Sequence, residues 1–283
     1  MDTIKLGDVE ITRVVERHGG FGPLHTLVPG TPDPAPGWLV PDHHDPATGV
    51  MIAAAQTWVL RSAGRTILVD TGVGNDRVRP NPLFNGWQTD FLERLTDIVD
   101  PGDVDVVVNT HVHADHVGWN THNLGGEWTP TFPNAAYLIP RADEEHFRGS
   151  AVHDDSVAPI LAAGLATLWD TSFRIDENLE LEAAPGHTPG SALLRLRSGT
   201  DRAVFVGDMV HSPYQLTDPL CNSMFCLDQG QARATRRRVL GRAADERELV
   251  VPAHFAGHGA VEVKENGDGF AISGWAGFQS ISS

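Results

Sequence analysis

Short apolar runs recur along this chain, each closed by polar or turn residues. Ile4–Leu6, Val9–Val15, Ala54–Leu60 and Thr66–Val69 lead. The run Val104-Asp105-Val106-Val107-Val108 follows, then Ala136–Ile139, Leu179–Ala183, Ala192–Leu196, Ala203–Val206 and Leu249–Val251. Their length and β-branched content predict strands. Between Gln88 and Val99 the apolar positions Phe91, Leu92, Leu95, Ile98 and Val99 step by three and four, which predicts a helix. A short helix is expected over Arg141–Arg148 and a long one over Gln229–Asp245. Asp228 precedes the long helix and Gln231 follows three residues later, as in a capping box.

The stretch from Gly19 to Gly49 breaks this rhythm. It holds Pro23, Pro29, Pro32, Pro34, Pro36, Pro41 and Pro46, so little regular structure is expected there. Loops of about 30 residues are uncommon unless functional or disordered. Phe21, Leu24, Trp38 and Leu39 supply apolar anchors, which favours an ordered flap over residues 19–50, near an active site.

Composition narrows the class. With 283 residues, 41% of them hydrophobic, the chain can bury a substantial core. The N-terminal residues lack the apolar core of an export signal, and no run of 18 apolar residues occurs, so a cytoplasmic protein without membrane contact is expected. Cys221 and Cys226 require no disulfide. A net charge of −16 opposes binding to a phosphate backbone, so no nucleic-acid partner is expected. The basic run Arg236-Arg237-Arg238 is read as a solvated helix face. A small-molecule substrate is the expected partner, and a homodimer is compatible with the sequence.

Chemistry concentrates in His111-Val112-His113-Ala114-Asp115-His116, directly after the valine-rich strand. Imidazole and carboxylate are ligands for borderline divalent metals such as zinc. The spacing sends His111 and His113 one way and Asp115 and His116 another, which suggests two metals rather than one. Three further residues lie in turns or at the ends of apolar runs: His187 in Pro185–Gly190, Asp208 after Val204–Gly207, and His254 after Val250–Ala253. The assignment is His111, His113 and His187 to one metal and Asp115, His116 and His254 to the other, with Asp208 bridging. His258, four residues after His254, is a competitor for that place. Because the ligands run from 111 to 254, both halves must build one site, and residues 1–283 are read as one domain.

The ordered series His-X-His-X-Asp-His, Gly-His-Thr-Pro-Gly, Gly-Asp after a strand and a late His resembles the metallo-β-lactamase superfamily. Asp70-Thr71-Gly72 matches that family's structural turn as well, and the resemblance spans roughly residues 50 to 260. It implies an α/β (α+β) fold of the αββα sandwich type, two mixed sheets packed together with helices on the outer faces. Two Zn²⁺ per chain are implied, other divalent metals being possible. The reaction implied is metal-dependent hydrolysis, in which a hydroxide shared by the metals attacks an ester, lactone or related neutral substrate. The physical basis is that zinc brings the pKa of water from 15.7 to about 7. Asp115 is the catalytic candidate, as a proton relay to the leaving group.

Segments Gly207–Pro219, Pro252–Phe255 and Gly257–Gly259 look most similar to the branch holding methyl parathion hydrolase and the N-acyl homoserine lactonases. Those lactonases place a tyrosine shortly after the bridging Asp, whereas His211 stands third after Asp208 here and Tyr214 is displaced. The 29 residues after His254 are too few for the helical domain of glyoxalase II-like enzymes. His113, where flavodiiron-type oxidases have Glu, favours zinc over iron. Adjacency to ligands makes Trp119, Met209, His211 and Phe255 substrate-pocket candidates, with Phe21 and Trp38 from the flap. The alternatives are a phosphotriesterase and a mononuclear iron oxygenase resembling persulfide dioxygenases, separable by metal analysis.

Overall fold

A computed structural model describes residues 2–278; Met1 and 279–283, which belong to the expected 1–283 domain, lie outside the described residues. The first sheet is built from β1 (Thr3–Leu6), β2 (Val9–Pro23), β3 (His44–Asp45), β4 (Val50–Ser62), β5 (Arg65–Val69) and β6 (Val106–Val108). A separate hairpin, β7 (Thr121–Leu124) with β8 (Glu127–Pro130), interrupts it before β9 (Ala136–Pro140) and β10 (Ala166–Trp169) complete it. Its order is β1-β2-β4-β5-β6-β9-β10, with β3 pairing on β4. The second sheet runs in sequence order through β11 (Ser172–Arg174), β12 (Leu179–Ala183), β13 (Ala192–Ser198), β14 (Asp201–Gly207), β15 (Leu249–Pro252), β16 (Val261–Asn266) and β17 (Gly269–Trp275).

Strand side chains alternate between faces, and here both faces are covered. Ile67, Val69, Val106 and Val108 point between the sheets, where they join Leu194, Leu196, Ala203, Phe205 and Val251. Their neighbours Leu68 and Val107 face outward and pack on Phe91 and Leu95 of α2, for which α1 (Leu24–Leu27) and α2 (Phe91–Thr96) give the first two helices. On the far side Leu193, Val204, Val206 and Val250 meet Val239, Leu240 and Ala243. The result is the expected helix–sheet–sheet–helix sandwich, and double coverage explains why these strands read as continuous apolar runs. The remaining helices are α3 (Arg141–Phe147), α4 (Ala151–Ser156), α5 (Ala158–Ala162), α6 (Tyr214–Thr217) and α7 (Gln229–Glu246). Among the described residues no helix is long and apolar enough to cross a membrane.

Several local expectations are revised. The helix expected over 88–99 forms only from Phe91 to Thr96, because Thr89 is tied back by its backbone N–H to Asn75 Oδ1 at 2.8 Å. The proline-rich stretch is more regular than its composition suggested: β2 continues to Pro23, bulging twice along its pairing with β4, and α1 and β3 follow. Leu24, Leu27, Val28 and Leu39 anchor the stretch on Met51 and Ala53. In the long helix the Asp228 side chain does accept from Gln231 N–H, at 2.9 Å. Its Arg236, however, is buried rather than solvated, donating to the carbonyls of Met209, Pro219 and Cys221 and so pinning the segments on both sides of α6.

Candidate metal centre

The parallel pairs β5-β6-β9 and β14-β15 place their C-terminal ends along one edge of the sandwich. Ligand sites in open α/β sheets lie at the carboxyl ends of strands, and the candidate side chains follow from this arrangement. β6 delivers 111–116, β14 delivers Asp208 and β15 delivers His254, while the turn after β12 delivers His187. Gly207 (φ +50°) ends β14 against Thr110, where a Cβ would come within 2.8 Å of Thr110 Oγ1.

Two groups of donors form. His111, His113, His187 and Asp208 offer atoms within 4.8 Å of one another, and so do Asp115, His116 and His254. In the first group His113 Nδ1 stands 3.0 Å from both His111 Nε2 and His187 Nε2. In the second, His116 Nε2 and His254 Nε2 are 3.2 Å apart. Imidazole nitrogens meet this closely only around a shared proton or a cation. Asp208 joins the groups: its Oδ1 lies 3.0 Å from His254 Nε2 and 3.2 Å from His116 Nε2, and its Oδ2 lies 3.3 Å from His187 Nε2. Asp208 Oδ1 has no aligned hydrogen bond among the described residues although it is buried. Donor chemistry, convergence and this orphaned oxygen all fit the binding of divalent metal.

The opposite nitrogens are held from outside. Asp70, in a left-handed turn (φ +57°) after β5, faces His116 Nδ1 at 2.8 Å and accepts from Thr110 N–H at 2.8 Å and Thr110 Oγ1 at 2.7 Å. His254 Nδ1 meets the Ala54 carbonyl at 2.9 Å. Such contacts fix the tautomer that turns an Nε2 lone pair inward. Asp143 was not singled out from sequence, yet its carboxylate ties two ligand loops together. It accepts from Val112 N–H at 2.9 Å, Thr188 Oγ1 at 2.8 Å and Gly190 N–H at 2.6 Å. An acidic residue in the first turn of a short helix carries no sequence signal for that role.

Electrostatics divides the histidines. Burial holds His111 and His187 well below the usual range and pushes His113 down to about 4. Burial also opposes charge on His116 and His254, but the carboxylate of Asp208 and its neighbours outweighs it, raising His116 well above its usual value and His254 to about 9. Burial works against ionisation of Asp208, yet His254, His116 and His211 together hold its carboxyl well below the usual range.

A cavity of about 310 Å³ opens onto Asp208, Asp115, His113 and His254. Phe21, Met51, Leu83, Phe84, Val152 and Phe225 make its apolar wall, and His211 adds a polar group. Of the expected pocket residues, Phe21 and His211 stand there. Trp38 does not; it is exposed outside the cavity. Trp119 is core, stacked on Phe91 at 5.7 Å with its Nε1–H donating to Glu16 Oε1 at 2.7 Å. Met209 packs behind the cluster, and Phe255 is fully buried beside His43 at 5.5 Å. His258 turns away and pairs with the Phe278 carbonyl at 2.7 Å. The 79–84 wall was missed because its loop has no hydrophobic period.

A family model described as the metallo-beta-lactamase superfamily matches residues 53–254, spanning all seven donors. The chain belongs to the metallo-beta-lactamase superfamily. This member of the superfamily is 26% identical over 155 residues to an N-acyl homoserine lactonase of Bacillus sp., covering 50% of this chain and 57% of that relative, so it spans little more than half the relative's length. It shares its fold with a probable metal-dependent hydrolase from Staphylococcus aureus, with TM-score 0.82, 17% identity and 99% of both chains covered. It also shares its fold with a dizinc quorum-quenching lactonase in complex with a product, with TM-score 0.77, 20% identity and 97% of both chains covered.

Proposed function

We propose that this chain is a two-metal hydrolase of uncharged esters or lactones, with zinc as its metal. The observation that carries the reading is Asp208, whose two oxygens face two separate donor groups at the floor of an apolar cavity. His111, His113 and His187 would hold one cation and Asp115, His116 and His254 the other, with Asp208 shared. Two donor groups favour this reading over a single iron. When bound, the cations supply Lewis acidity for an acyl oxygen and lower the pKa of water to about 7.

The rest falls to the protein's own side chains. Phe21, Phe84 and their neighbours hold the apolar part of the substrate and exclude water. Asp115, 8% exposed and lining the cavity, takes on its carboxylate the proton released by the water whose oxygen bonds the acyl carbon, and gives it to the leaving oxygen as the acyl C–O bond breaks. His211 has both ring nitrogens without an aligned partner among the described residues, and it offers a hydrogen bond to the substrate oxygen. Arg79 is the one arginine or lysine lining the cavity among the described residues, and it is engaged by Asp155 at 2.5 Å and 2.8 Å. Away from the donor groups, the described wall therefore offers an anionic substrate group no uncommitted arginine or lysine, which favours uncharged substrates. The lactonase relatives add weight to a cyclic ester.

The test is hydrolysis of a panel comprising an aryl ester, an N-acyl homoserine lactone and a phosphotriester, before and after chelation and zinc return. Loss on chelation and recovery with zinc, greatest for ester or lactone, is expected. Turnover that survives complete metal removal refutes the reading, and preference for the phosphotriester refutes its substrate class.

A further inference from the structure

The loop carrying His254 is gripped from the opposite sheet. Arg13 lies on β2 in phase with Val9 and Ile11, whose side chains enter the core between the sheets, and it is 5% exposed. A buried charge persists only where its donors are met, and all three arms of this guanidinium are. Nε donates to Gln56 Oε1, Nη1 to the Gly257 carbonyl and Nη2 to the Phe255 carbonyl, each at 2.7 Å. Gln56, on β4, adds a bond from Nε2 to the Ala253 carbonyl at 2.8 Å. Alternate carbonyls at 253, 255 and 257 are thus held, and His254 sits between the first two. Ala54, two residues before Gln56, closes the grip by donating its N–H to the His254 carbonyl at 3.1 Å. Burial lowers the Arg13 pKa only to about 10, so the fork stays charged at neutral pH.

The other donor group hangs on different supports. Asp143 orders the loops of His111 and His187, and the His187 carbonyl accepts from Leu227 N–H at 3.0 Å. We propose that Arg13 and Gln56 are positioning residues that set the occupancy of the metal position built by Asp115, His116 and His254 and leave the other position unaffected. This rests on the two-metal reading above. A planar guanidinium is suited to the task because it spans two carbonyls and an amide at once, which a lysine cannot.

The experiment is a zinc titration of the chelator-stripped full chain against a chromophoric competitor. His254→Ala and His187→Ala identify the two binding steps. Gln56→Glu keeps the size of the side chain and its acceptor for Arg13 but removes the donor to Ala253; Arg13→Met removes the fork. Both are expected to weaken the step that His254→Ala abolishes by about 10–100-fold, the range for groups that orient a ligand, with the other step unchanged. Equal weakening of both steps, or of neither, overturns the proposal. If Arg13→Met does not fold, Gln56→Glu decides alone. Wild-type protein taking up a single zinc overturns the two-metal reading itself, and the wild-type count separates that failure from failure of the clamp.

Discussion

Replacing His211 by phenylalanine should move stability and activity in opposite directions. The ring is 6% exposed, and its two nitrogens lack aligned hydrogen bonds among the described residues. Its Nε2 lies 3.1 Å from Asp208 Oδ2 without bonding geometry, and on the proposed reading that oxygen would be committed to zinc in the loaded protein. A buried polar group left unmatched costs about 1–3 kcal/mol. His211→Phe preserves a flat ring beside Phe225, 6.0 Å away, and removes that cost. For a chain somewhat above the 150–250-residue class, each kcal/mol corresponds to roughly 2–4 °C in Tm or slightly less, so zinc-loaded His211→Phe should melt a few degrees higher. Substrate hydrolysis should fall by about 10²–10³ in kcat, the loss typical of deleting one donor to a developing oxyanion. Calorimetry of the zinc-loaded proteins and aryl-ester kinetics read the two effects, with zinc content measured alongside. A variant that melts lower and retains full turnover refutes the reasoning. A loss of turnover that tracks a loss of zinc assigns His211 to the metal instead.

Three other outcomes are expected. Asp70→Asn places an amide against His116 Nδ1 and favours the tautomer with a proton on Nε2, so zinc affinity should drop about 10–100-fold; unchanged competition titrations refute this. Burial lowers the His43 pKa to about 3 from 6.5, so its stabilising contribution is complete above 6.5 and is lost as pH falls toward 3. His43→Phe should therefore flatten the acid side of a denaturation-versus-pH curve across that window, and an undiminished slope contradicts the assignment. Phe84→Ala removes the ring that meets Phe21 edge-on at 6.3 Å, and with it apolar contact for an acyl chain, so it should lower kcat/KM for long-chain esters relative to acetyl esters; a constant or raised ratio means that this ring does not hold the acyl chain.

The donors were legible because each belongs to a turn or follows a compact apolar run, and strand ends are visible in such runs. The sandwich was legible for the same reason: Val106–Val108 and Ala203–Val206 are buried on both faces and leave an uninterrupted signal. Elements with one wet face were not. β16 reads Val-Glu-Val-Lys-Glu-Asn, its outward positions exposed, and β7, β8, β10 and β11 are three or four residues long. The cavity wall escaped because Leu83 and Phe84 sit in a single 3-10 turn, Pro82–Phe84, too short to show a hydrophobic period, and its place against the distant Phe21 is set only in three dimensions. Arg13 did leave a trace, a charge on the inward phase of an apolar strand. Its partners, more than 240 residues away at Phe255 and Gly257, could be found only in three dimensions.

The most direct measurement is anomalous diffraction at the zinc edge from crystals of the zinc-loaded chain. Two peaks are expected, one among His111, His113 and His187 and one among Asp115, His116 and His254, with an Asp208 oxygen within about 2.0–2.2 Å of each. A single peak, or two peaks that Asp208 does not join, contradicts the account.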